Sequence, residues 1–330
     1  MRLVVKMNKT GAEANLVRPK ELEAIKKGKW SVSRRAIIRD KQLYLLATPA
    51  IMFFLLFKYV PMWGVLIAFQ KYSPFLGFMK SKWVGLDHFI RFFYHDDFWM
   101  LLRNTLAINL LSLVLFFPLP IILSLLLNEL RGKYLKRTIQ SIIYLPHFLS
   151  WVIIVGITFL LLGYQEGIIN KLLEYFGMER IEFLTDPNKF WLLLTVQSIW
   201  REAGWGTVIF LAAIASVDPQ LYESARMDGA GRLRQMWHIT LPAIRSVIVI
   251  LLILRIGHMM DVGFEQVYLM MNGAVSDVAD VFDTYVYRSG IQQGQFSYST
   301  AIGLFKSIVG LLLVVGSNWL SKKFGDDGIY

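Results

Sequence analysis

The sequence predicts an all-α, polytopic membrane protein with six transmembrane helices and both termini on the cytoplasmic side. Three observations carry that expectation. Apolar residues make up 55% of the 330 residues and charged residues only 18%, whereas soluble domains run nearer ~25% charged. Six stretches are long and apolar enough for a helix to cross a hydrocarbon core of about 30 Å, which takes about 20 residues. The basic residues are also segregated into one set of loops, which fixes an orientation.

The formal charge of +11 invites a nucleic-acid reading, but its placement argues against one. Residues 1–42 hold 12 Lys/Arg against 4 Asp/Glu, so +8 of the +11 precedes the first apolar run. Such an arm suits a membrane surface, where each Lys or Arg near anionic headgroups contributes about 1 kcal/mol. Membrane lipid is therefore an expected partner and nucleic acid is not. With no cysteine, disulfide and thiolate chemistry are excluded.

The expected spans are 43–69, 101–127, 139–163, 190–216, 243–260 and 299–320. The first is too long, and its preceding arm too extended, for a cleaved signal peptide. Pro61, Pro118 and Pro120 lie inside spans, which membrane helices tolerate where neighbours satisfy the freed carbonyls. The arm, the 131–137 and 216–245 loops and the tail hold 22 Lys/Arg, while the alternate loops at 70–100, 164–189 and 257–298 hold 4, 3 and 1. Those three loops carry 13 of the 24 acids. The expected organisation is a basic cytoplasmic arm at 1–42, a transmembrane domain at 43–320 containing a cytoplasmic loop at 217–242, and a cytoplasmic tail at 321–330.

The loop after the fourth span reads as a short, well-punctuated helix. Asp218 can cap its N-terminus, Pro219 fits the first helical position, and Gly229 can take the left-handed conformation past its end. Ser224 and Ala225 are small enough to let another surface approach. Glu223-x-Ala225, three residues, Gly229, nine residues, then Ile239-x-Leu241-Pro242 resembles the EAA loop of permease subunits of type I, binding-protein-dependent ABC importers. Ser224 stands where that family usually has alanine, a small-for-small exchange. The resemblance runs along nearly the whole chain after the arm. Phe57-Lys58-Tyr59-Val60-Pro61, Leu145-Pro146-His147-Phe148-Leu149-Ser150-Trp151, Gly263-Phe264-Glu265-Gln266 and Asp283-Thr284-Tyr285-Val286-Tyr287-Arg288 are similar to the MalF-like subgroup serving oligo- and polysaccharide uptake. Within it, the likeness is to permeases of alginate-type, acidic polysaccharide importers.

That resemblance implies the type I ABC importer permease fold in a bacterial cytoplasmic (inner) membrane. It also implies a second homologous permease subunit, two ABC ATPase subunits, an extracytoplasmic solute-binding protein and an oligosaccharide substrate. The loop helix would couple to an ATPase through Glu223, Ser224, Ala225, Asp228, Gly229 and Ala230. This chain would then be a transport subunit and not an enzyme, with no cofactor of its own, ATP and Mg being held by the ATPase subunits. Gly303-Leu304-Phe305-Lys306-Ser307 lacks the glycine before lysine that a phosphate loop needs and lies inside a span, so ATP binding of that kind is not expected here.

Charge within a span is expensive and is a functional hypothesis by default. Arg201 and Glu202 lie about halfway along the fourth span beside Trp200 and Trp205. Adjacent residues point in different directions, so each is expected to find a neighbouring helix. Arg255 is halfway along the fifth span with His258 one turn beyond, and Lys306 is about a third of the way into the sixth. Lys58 can snorkel to the outer interface. Arg201, Arg255, His258 and Lys306 against the single Glu202 make a cationic excess at mid-depth. Arginine binds carboxylate bidentately and tryptophan can stack on a sugar face, so the expected path accepts uronate-type oligosaccharides such as alginate oligomers.

His88, His95, His147, His238 and His258 include no i,i+4 pair, so no metal site is expected. Two other function classes stay open on the residues alone. An ion-coupled secondary sugar transporter needs membrane-embedded acids, of which Glu202 is the clear one. A membrane-embedded glycosyl or acyl transferase needs a polar cluster at one membrane face, and none stands out.

Overall fold

In the computed structural model the described residues are 41–323 and Gly328. Apart from Lys41 and Gln42, the predicted basic arm lies outside them, as does most of the predicted tail. The chain divides into two units, 1–64 and 65–330.

Helix α1 (Lys41–Phe69) runs for 29 residues across the end of the first unit. It changes pitch at a π turn over Leu55–Tyr59 and continues as a 3-10 run over Val60–Phe69. Pro61 explains the change: it has no N–H to close the turn onto Phe57, so the ladder shifts register, with Val60 N–H bonding the Leu55 carbonyl.

The second unit opens with a two-residue antiparallel pair, β1 (Gln70–Lys71) and β2 (Lys82–Trp83), followed by α2 (Asp87–Phe93). Helix α3 (Phe98–Glu129) is 32 residues long, interrupted only at Phe116–Phe117 before Pro118. Then come α4 (Lys133–Phe148), α5 (Trp151–Leu162), α6 (Ile168–Tyr175), α7 (Pro187–Ala215) and α8 (Pro219–Met227). The rest comprises α9 (Arg232–Ala243), α10 (Arg245–Gly257), α11 (Phe264–Met270), α12 (Phe282–Tyr287) and α13 (Phe296–Lys323).

Helices α1, α3 and α13 are long and apolar enough to cross a membrane, and the number reaches five if each of two bent pairs is one span. At ~1.5 Å per residue the 29-residue α7 is also long enough, with Gln197, Arg201 and Glu202 interrupting its apolar run. The predicted spans 101–127 and 299–320 fall inside α3 and α13, and 190–216 matches α7 to its C-cap Ser216.

The third span is not the single helix expected, while the fifth, 243–260, corresponds to α10 with a bend against α9 at its start. Helices α4 and α5 meet at 103°, and α9 and α10 at 59°. Pro146 cannot continue the hydrogen-bond ladder, and Leu149 and Ser150 turn extended, with ψ of 137° and 156°. Ser150 then caps the new helix, its Oγ accepting from Ile153 N–H at 3.4 Å. Pro242 plays the corresponding part just before the second bend, at Ile244 (φ −92°, ψ 4°).

Three apolar clusters hold the second unit together. Ile108, Val155, Phe190, Leu194, Val267 and Met270 join α3, α5, α7 and α11. An aromatic group of Phe92, Phe98, Phe282, Tyr285 and Tyr298 joins α2, α3, α12 and α13. Leu125, Phe210, Ile214 and Ile244 bind α3 and α7 to the α9–α10 bend. Small residues let the backbones of two helices approach closely. A Cβ on Gly204 of α7 would lie 1.8 Å from the Ile143 carbonyl oxygen of α4, so α4 packs directly against the glycine.

Gly204→Val should lower the unfolding midpoint of the purified protein, because backbone cannot retreat and overpacking costs ~1–3 kcal/mol. Gly316→Ala, whose added Cβ meets nothing within 4 Å, should leave it unchanged. A thermal melt of both variants in detergent checks the pair.

Candidate functional site

Helix α8 forms as its residues dictate. Asp218 accepts from Gln220 N–H at 2.9 Å, Pro219 occupies the first turn, and Gly229 sits at φ +73°. Past the end, Ala230 N–H bonds the Ala225 carbonyl at 2.8 Å and Asp228 N–H bonds that of Ser224 at 3.1 Å. Glu223, Ser224, Asp228 and Gly229 are exposed, while Ala225 and Ala230 are half-buried. Leu221 and Met227 are also exposed, so α8 presents an apolar and acidic surface outward.

This helix is braced from behind. Tyr222 Oη shares a hydrogen bond with buried Thr240 Oγ1 at 2.9 Å, and Gln235 Nε2 donates to the Ala230 carbonyl at 2.7 Å. Arg232 reaches Glu129 at the end of α3 at 3.8 Å. Val217 packs on the cluster of Leu125, Phe210, Ile214 and Ile244. These contacts tie α8 to α3, α7 and the α9–α10 bend.

A second feature is a cavity of about 390 Å³ lined by Phe116, Trp151, Ser198, Glu202, Trp205, Gly206, Arg255, Val262 and Gln266. Its wall is organised by the break between α4 and α5. Arg201 Nε donates to the Leu149 carbonyl at 3.2 Å, and its guanidinium lies 4.6 Å from the centre of the Trp151 ring. Glu202 accepts from Arg201 Nη1 at 2.7 Å and pairs with His147 Nδ1 at 2.8 Å. The His147 ring stacks on Trp205 at 4.6 Å with 2° between planes. Arg201 and Glu202 thus each meet the α4–α5 break, as expected, but they also bond each other, which was not.

Arg255 differs from them. Its Nη2 donates to Ser112 Oγ at 2.7 Å and its guanidinium lies 5.5 Å from the Phe116 ring centre. No carboxylate among the described residues forms an ion pair with it.

Lys306 and His258 line a separate cavity of about 440 Å³ with Asp261, Ser307 and five others of α10 and α13, including Gly257 and Gly310. Lys306, only 9% exposed, pairs with Asp261 Oδ1 at 2.8 Å and with Asp283. His258 Nδ1 contacts the Leu254 carbonyl at 2.8 Å. The expected cationic excess at mid-depth is therefore corrected: Glu202 compensates Arg201, and two acids compensate Lys306. Those acids were counted with an outer loop because the apolar run ends at 260, yet the chain folds them back against α13. Trp200 is 45% exposed and lines neither cavity.

His147, Trp151, Ser112, Phe116, Ser198 and Gln266 were not among the residues expected at the site. Three of these, His147, Trp151 and Gln266, do sit in the stretches whose resemblance came without a mechanism. Gln266 Nε2 bonds the Leu194 carbonyl at 2.8 Å and its Oε1 accepts from Ser198 Oγ at 3.1 Å, which aims the pair at the cavity wall.

Residues 116–325 match the family described as a binding-protein-dependent transport system inner membrane component. The chain belongs to this family of permeases. It is 60% identical over 294 residues to the polygalacturonan/rhamnogalacturonan transport system permease protein YteP of Bacillus subtilis (strain 168), covering 89% of this chain and 92% of that one. It is 58% identical over 295 residues to protein LplB of the same organism, covering 89% and 93%. Among solved structures, this permease matches a chain of a bacterial alginate ABC transporter in complex with an alginate pentasaccharide-bound periplasmic protein. That match has a TM-score of 0.81 and 39% identity, covering 89% of this chain and 99% of that one. The helical architecture is thus the type I ABC importer permease fold, and the chain is a transport subunit of the inner membrane, not an enzyme.

Proposed function

We propose that this permease is one of two transmembrane subunits of an ATP-driven importer of anionic, uronate-type oligosaccharides, crossing the membrane six times with both termini inside. In this reading α8 docks on an ATPase subunit through Glu223, Ser224 and Ala225, and an extracytoplasmic binding protein delivers the substrate. ATP-driven closure of the ATPases moves α8, and its braces carry that motion into the bundle. The path alternates between inward- and outward-facing states, each with its own interface contacts.

The observation that carries the substrate class is Arg255. It is a guanidinium in the last turn of α10, on the wall of a cavity, bonded to a neutral hydroxyl and to no carboxylate among the described residues. A substrate carboxylate would give Arg255 a direct bidentate partner, while Trp151 and Trp205 offer flat faces to sugar rings. The named substrates of YteP are galacturonate-containing polymers, and the solved relative imports another polyuronate, which supports the same class for this chain.

In vesicles carrying the assembled importer, Arg255→Ala should cut uptake of a trigalacturonate roughly 10- to 100-fold. That is the loss expected for a charge-assisted hydrogen bond worth about 1.5–3 kcal/mol. Unchanged uptake with normal assembly would contradict the assignment. Glu223→Lys should insert normally but hydrolyse ATP without matching uptake, or lose the ATPase on purification. Coupled uptake at the wild-type rate would remove Glu223 from the docking role.

A further inference from the structure

A third polar cavity lies among the residues of the predicted outer loops. It measures about 170 Å³ and is lined by Arg91, His95, Asp97, Tyr285, Arg288, Ser289, Gln293, Gln295 and Tyr298. Its residues come from the predicted outer loops and the outer end of α13, far along the chain from the coupling helix and from Arg255.

Nearly every lining group offers hydrogen-bonding capacity of the kind sugar hydroxyls use. Tyr285 Oη and Tyr298 Oη share a hydrogen bond at 3.3 Å, and Tyr285 Oη also meets His95 Nε2 at 3.3 Å. Gln295 donates from Nε2 to Gln293 Oε1 at 3.1 Å, yet its own Oε1 is buried and has no partner among the described residues. A buried acceptor left unpaired costs ~1–3 kcal/mol, so this atom calls for a donor.

The charges are unequal in their satisfaction. Arg288 is paired with Asp280 at 2.5 Å, and Asp97 has His95 at 3.7 Å. Arg91 lies over the Tyr298 ring, 4.5 Å from its centre, and makes no hydrogen bond or ion pair among the described residues. It is exposed, so its guanidinium is held flat by the ring with its N–H edge open. At roughly 30 Å³ per water, the cavity holds about the volume of one sugar ring.

We infer that this cavity is an outer subsite for a single uronate residue, with Arg91 taking the carboxylate and Gln295, Ser289 and the two tyrosines taking hydroxyls. The inference rests on the proposed uronate specificity, and it gives the incoming end of the chain a first contact before it reaches Arg255. A neutral sugar could use the hydroxyl partners but would leave Arg91 unused.

The test is saturation-transfer NMR on the assembled importer in nanodiscs, without binding protein or ATP. Digalacturonate is compared with the neutral galactobiose. Digalacturonate should give transfer at least tenfold above galactobiose, Arg91→Gln should reduce it about tenfold, and Arg255→Ala should retain it. If Arg91→Gln fails to assemble, Tyr298→Phe and Gln295→Leu, which keep the charges, should each weaken the signal several-fold. Equal transfer from the neutral sugar would overturn the subsite, as would a signal untouched by the outer variants. Loss of transfer in Arg255→Ala alone would place the sugar in the inner cavity, overturning the outer subsite while supporting the proposed function. Failure of Arg255→Ala to affect uptake, with the outer signal intact, would instead strike the proposed function.

Discussion

The hydrogen bond from Arg201 to the Leu149 carbonyl is the contact on which the site depends. A helix broken inside a membrane frees backbone carbonyls that lipid cannot satisfy, and the α4–α5 break at Leu149–Ser150 is sharp. Arg201 takes that carbonyl and stands over Trp151. Its neighbour Glu202 compensates its charge and reaches His147 on the other side of the break. Breaking the helix frees a carbonyl, and the half-buried Arg201–Glu202 pair takes it up. The result fixes Trp151 and Trp205 as one wall of a cavity.

Arg255 gains its meaning from that arrangement. Once Arg201, Glu202 and Lys306 are mutually or locally compensated, the mid-depth charges are no longer a diffuse cationic field. They resolve into structural pairs and one guanidinium whose hydrogen-bond partner is the hydroxyl of Ser112. The contacts of Tyr222, Gln235 and Arg232 connect α8 to α9 and to the end of α3.

Much of this was legible in the sequence where the determinants are local. Asp218, Pro219 and Gly229 specify α8 within a dozen residues, and the structure forms the cap and turn they encode. Long apolar runs gave α1, α3 and α13 to within a few residues. The bends were not legible, because proline at the end of an apolar run is compatible with a kink, a stop or an unbroken membrane helix. Pro146 and Pro242 act through what packs against them. Partners distant in sequence were hidden for the same reason: Asp261 and Asp283 read as outer-loop acids until the fold set them against Lys306. Trp151 and Gln266 lay in stretches similar to the permease subgroup, and the fold brings both to the cavity wall.

The most direct test of this account is a structure of the assembled importer trapped with a galacturonate oligomer in its path. A carboxylate oxygen should lie within hydrogen-bond reach of the Arg255 guanidinium, about 2.7–2.9 Å, with a sugar ring against Trp151 or Trp205. An oligomer that meets this cavity only through its hydroxyls, with Arg255 still on Ser112, would contradict it.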